Sequence, residues 1–150
     1  MTLQLEIQRE SRSADLPADD KLREWTEAAL NSRHQQVELV IRIVDEDESR
    51  DLNREYRGKA RPTNVLSFPF EAPQVLESDL LGDLVICAPV VVAEASAQKK
   101  SVEAHWAHMV IHGALHLQGH DHQNEKEADE MECLEVEILS RLCFPDPYSG

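Results

Sequence analysis

The stretch VELVIRIV, residues 37–44, constrains the fold more than any other segment of this chain. Side chains branched at Cβ lose χ1 freedom in a helix and pack well on a pleated surface, so the run reads as a strand. Upstream, Leu3, Leu5 and Ile7 alternate with polar residues over 2–9, the period of a second strand. Between them, residues 18–33 follow Pro17 with acids in the first turn and turn Leu22, Trp25, Ala29 and Leu30 to one side, as an amphipathic helix does. Strand, helix and strand at this spacing predict a right-handed parallel crossover.

The remaining segments extend that unit. DEDESRDLNREYRG reads as a helix with acids at its start, Leu52 and Tyr56 one turn apart, and Gly58 as its stop. TNVLSFPF, 63–70, is a strand that Pro69 assigns to an edge. LLGDLVIC, 80–87, is another strand, reached through a loop that holds Pro73. Pro89 then opens a helix, where the first turn tolerates it. Residues 102–118 and 124–142 form two more helices. The expected fold is α+β (mixed α/β): a single small mixed sheet with an antiparallel edge strand, packed by helices. At 150 residues, with 41% hydrophobic and 29% charged, the chain is read as one domain over 1–150.

Composition excludes some classes of function. A net charge of −14 argues against a general polyanion binder. The start of the chain lacks the basic and apolar regions of a signal peptide, and LVICAPVVVA is too short to span a bilayer, so no membrane partner is expected. Cys87, Cys133 and Cys143 are odd in number and lack CxxC spacing, as in a cytoplasmic protein with reduced thiols. The charge is uneven. Residues 50–61 hold Arg50, Arg54, Arg57, Lys59 and Arg61, while 125–137 hold seven acids and one lysine, read as a solvated face.

Seven histidines occur in the chain, and six lie between His105 and His122. His108, His112 and His116 follow one another at i,i+4 on one helix face. All three cannot hold one ion, because eight helical residues rise about 12 Å and zinc–nitrogen bonds are about 2.1 Å. Gly119 decides between the pairs: it can take positive φ, end the helix and return His122 towards His112 and His116. The resulting H-x3-H-x5-H matches the metzincin pattern in its histidines and glycine. Three neutral imidazoles suit one zinc ion and leave a position for water. His105 and His108 then lie behind the ligands, on the substrate side or at the surface, and His120 is a fourth donor, a substrate contact or a solvated loop residue.

In the zincin motif the position of Gly113 is the glutamate that serves as general base. Glycine cannot take a proton, so peptide hydrolysis loses its usual mechanism. A phosphodiester, which needs charge neutralisation more than a strong protein base, fits better, and an arginine would complement the metal.

HGALHLQGHDH, residues 112–122, resembles the signature HGxLHLxGYDH of the YbeY family, bacterial metal-dependent endoribonucleases of ribosomal RNA maturation and ribosome quality control, everywhere but at the tyrosine, which is His120. The resemblance continues through LNREYRGKARPTNVLSFPF and LLGDLVIC. It implies that His112, His116 and His122 bind zinc in a cleft, with His112 counted among the catalytic groups. It also implies that Arg57 is a catalytic or RNA-binding arginine and that Ser67, on the substrate side, and Asp83 occupy positions near the cleft. Many members carry aspartate where this chain has Asn64. The implied partners are single-stranded RNA, above all the 3′ end of the small-subunit ribosomal RNA, and the ribosome, not DNA. Two other functions compete: a zincin-type zinc metallopeptidase, which Gly113 opposes, and a non-catalytic ribosome-assembly factor with structural zinc.

Overall fold

The computed structural model describes residues 2–30, 36–69, 79–120 and 124–148. Strands β1 (Thr2–Arg9) and β2 (Gln36–Val44) flank helix α1 (Asp19–Ala29), and α2 (Glu46–Arg57) leads to β3 (Val65–Pro69) and β4 (Asp79–Cys87). Three helices follow: α3 (Ala88–Ala97), α4 (Val102–Leu117) and α5 (Glu125–Arg141). The sheet order is β1-β2-β4-β3. The β1–β2 and β2–β4 pairs are parallel, and β3 runs antiparallel to β4 at the edge. This is the mixed sheet expected from the sequence, with Pro69 on the edge strand.

Strand alternation sorts side chains into two layers. Leu39, Ile41, Ile43, Leu84 and Ile86 form the main core with Leu22 and Trp25 of α1 and with Trp106, Val110, Ile111 and Ala114 of α4. On the other face Val44, Leu66, Val85 and Cys87 pack with Leu52 of α2 and with Phe68. The larger layer removes more apolar surface from water and dominates stability. Helices α2 and α4 therefore lie on opposite faces of the sheet.

Two details differ from the sequence reading. Helix α1 ends at Ala29, and Leu30 is its half-buried, extended C-cap. Thr63 and Asn64 precede β3 because α2 holds them: Ser49 Oγ bonds Thr63 O at 3.0 Å, and Asn53 Nδ2 donates to Arg61 O at 2.8 Å. The expected helical residues 31–33, strand residue Phe70, the loop at Pro73 and His122 lie outside the described residues.

Candidate metal centre and the neighbouring cleft

Helix α4 begins at Ser101, whose side chain accepts from Ala104 N at 3.0 Å. It ends in a Schellman motif: His120 N donates to Leu115 O at 3.1 Å, Gly119 N donates to His116 O at 3.0 Å, and Gly119 has φ +98°. The glycine thus ends the helix in the manner its position implies. His112 and His116 occupy the last two turns, half-buried, with ring centroids 4.7 Å apart. Two imidazoles on one tetrahedral zinc would place their centroids about 5 Å apart, so this pair fits a shared ion.

The principal residue missed by the sequence reading is Glu135. It stands in the acidic run assigned to solvent, yet its side chain is fully buried. The signal was periodicity: Met131, Glu135, Ile138 and Leu139 share the buried face of α5. One carboxylate oxygen accepts from His112 Nδ1, and the other accepts from the Tyr148 hydroxyl. His108 Nε2 lies 3.3 Å from the Tyr148 oxygen and 3.5 Å from Glu135 Oε2. Burial alone would push the Glu135 carboxyl up. Hydrogen bonds from His108 and His112, the charge on His112 and the bond from Tyr148 overcome this and hold it down, at about 2. Burial and the adjacent carboxylate push the Tyr148 phenol up, so the phenol stays protonated and donates.

His108, His112 and Glu135 present ligand atoms within 4.8 Å of one another, a group that could hold a metal ion. A carboxylate bound to an imidazole N–H also has a second use. It fixes the ring tautomer and orientation, so that the other nitrogen, Nε2, carries the lone pair.

His105 and His108 are buried, not surface residues. His105 Nε2 bonds Glu94 Oε1 at 2.9 Å, and burial outweighs that contact in lowering its pKa. Asn64 Nδ2 reaches the same carboxylate at 3.1 and 3.3 Å. An aspartate at position 64 would oppose Glu94 with like charge, so asparagine matches this neighbourhood. His120 is exposed and contributes its backbone to the helix stop.

Arg57 is the last residue of α2, followed by Gly58 at φ +71°. It lines a cavity of about 660 Å³ with Tyr56, Ser67, Phe68 and Asp83. Burial, and secondarily Glu6, raises the Asp83 carboxyl pKa. Arg50, Arg54 and Arg57 are all exposed, and Arg50 and Arg54 pair with Asp47 and Asp51, as a solvated helix face would. The structure thus brings Arg57 and Ser67 together. His112 lines a separate cavity of about 270 Å³ with Met131, Glu135 and Tyr148. The link between the two is β3, where Ser67 Oγ donates to Gly113 O at 3.4 Å.

Gly113 is shaped by packing. A Cβ there would lie 2.7 Å from Leu84 Cδ2 and 3.3 Å from Val65 Cγ2. Glycine lets α4 settle onto β3 and β4, and a glutamate would have no room.

A family model described as endoribonuclease YbeY matches residues 6–143. Among solved structures, the solution structure of TM1509 from Thermotoga maritima is similar, with 26% identity and a TM-score of 0.56, covering 98% of this chain and 100% of that one. The chain belongs to the YbeY endoribonuclease family.

Proposed function

We propose that this protein is a single-domain, zinc-dependent endoribonuclease specific for single-stranded RNA. It acts in the cytoplasm in maturation of ribosomal RNA, at the 3′ end of the small-subunit RNA, and in ribosome quality control. One zinc ion is held by His112, His116 and His122. The observation that carries this reading is the i,i+4 imidazole pair on α4, one ring anchored by a buried carboxylate and its rings 4.7 Å apart. That donor set suits zinc, whose bound chemistry is Lewis acidity and a more acidic water.

The chain's own groups divide the remaining work. Arg57 supplies a fixed positive fork for non-bridging phosphate oxygens, and it stays protonated, so its role is positioning and charge. Ser67 stands between the Arg57 cavity and the histidine helix and places the backbone of the substrate. Since α2 and α4 occupy opposite faces, the RNA must pass around edge strand β3 to meet both, which an unpaired strand can do and a rigid duplex cannot. The net charge of −14 suits a protein that meets its RNA on a ribosome better than one gripping free RNA. Gly113 disfavours the metallopeptidase reading, because packing leaves no space for a base there.

Single-turnover cleavage of matched single-stranded and duplex ribosomal RNA segments tests the proposal. The expected result is cleavage of the single strand alone, abolished by chelation and restored by zinc. Cleavage indifferent to chelation would overturn it.

A further inference from the structure

We infer that Glu135 is a positioning residue of the metal centre: it holds His112 as the Nδ1–H tautomer with Nε2 turned to the zinc, and Tyr148 clamps the carboxylate in that role. The inference rests on the zinc reading above, and adds a residue from α5 that does not itself touch the ion.

Three observations support it. Glu135 is fully buried, and a buried carboxylate persists only where donors satisfy it. Each of its two oxygens is engaged by a separate donor, His112 Nδ1 on one and the Tyr148 hydroxyl on the other, which fixes the carboxylate against the His112 ring. The ring it grips is the one facing His116 at 4.7 Å, so the carboxylate sets the angle at which His112 meets a shared ion. A neutral imidazole donating from Nδ1 must carry its lone pair on Nε2. A carboxylate partner also makes that nitrogen a stronger ligand. Tyr148 comes from the segment after α5, so the chain's last described turn closes this arrangement.

The test needs no catalytic readout. In metal-free wild-type protein at pH 8, long-range proton–nitrogen spectra should show His112 as the Nδ1–H tautomer, the less common form in water. Glu135→Leu should return it to Nε2–H and weaken zinc binding by about 10- to 100-fold in competition with a chromophoric chelator. Glu135→Gln keeps an acceptor oxygen and should hold the tautomer, with affinity lowered less than about tenfold. A wild-type His112 in the Nε2–H form overturns the inference, and that measurement needs no variant to fold. So does a Glu135→Gln protein that loses zinc as fully as Glu135→Leu, since glutamate would then be a ligand itself. Failure of the zinc reading is distinct: wild-type protein would bind no zinc, or His116→Ala would bind it as tightly as wild type.

Discussion

Gly113 allows the packing account to be tested by a change of sign. Glycine inside a helix is about 1 kcal/mol worse than alanine, so at an open site Gly113→Ala would stabilise the protein by that amount. Here the new Cβ would stand 2.7 Å from Leu84 Cδ2 and 3.2 Å from Leu84 Cδ1, and Leu84 is fully buried. Overpacking of this kind costs about 1–3 kcal/mol. The clash outweighs propensity, giving a net loss near 1 kcal/mol and a fall in Tm of roughly 2–4 °C for a domain of this size. Leu84→Ala removes the obstructing methyl groups, at its own cost of about 2–5 kcal/mol. In that background Gly113→Ala should become neutral or stabilising. Urea unfolding of wild type, both single variants and the double variant gives the coupling directly. A Gly113→Ala protein more stable than wild type, or equal losses in both backgrounds, would refute the argument that glycine is there for close approach.

Three further outcomes follow from other parts of the molecule. Arg57→Ala and Arg57→Lys should each lose about a hundredfold or more in single-turnover RNA cleavage, with zinc content and Tm unchanged, whereas Arg50→Ala should show only a small, salt-sensitive effect on RNA binding; equal rates for Arg57→Ala and Arg50→Ala would remove Arg57 from the site. The His105 pKa is lowered from 6.5 on folding, so between the lowered value and 6.5 the unfolded chain binds more protons. Stability should therefore be complete above about pH 6.5 and fall as the pH drops below it, and His105→Asn should flatten that slope in urea titrations. Wild-type protein should not cleave unstructured casein at a zinc-dependent rate; activity that copurifies with zinc and vanishes in His116→Ala would restore the peptidase reading.

Most of the fold was legible because its signals are local. The β-branched run at 37–44, the alternation at 2–9, Pro69 on the edge and the glycine stops at 58 and 119 each act through a few neighbouring residues. The histidine pair was legible for the same reason, since i,i+4 spacing alone sets it on one helix face. Glu135 was not read, because seven acids in thirteen positions look like solvation and only their phase relative to Met131 and Ile138 shows one facing inward. The burial of His105 and His108 depends on Glu94 and Tyr148, which arrive from other elements. The separation of Arg57 from the histidines was likewise invisible, because motif order along the chain carries no information on which face of the sheet a helix covers.

Zinc content of tag-free protein with His108→Ala, His112→Ala, His116→Ala or His122→Ala, paired with ribosomal RNA cleavage by the same preparations, shows which histidines hold the ion. The expected result is one zinc per wild-type chain, sharp loss of zinc and cleavage in the last three variants, and retained stoichiometry in His108→Ala despite a lower Tm. Zinc retained by His116→Ala and lost by His108→Ala would move the ion to the His108, His112 and Glu135 group and contradict the account.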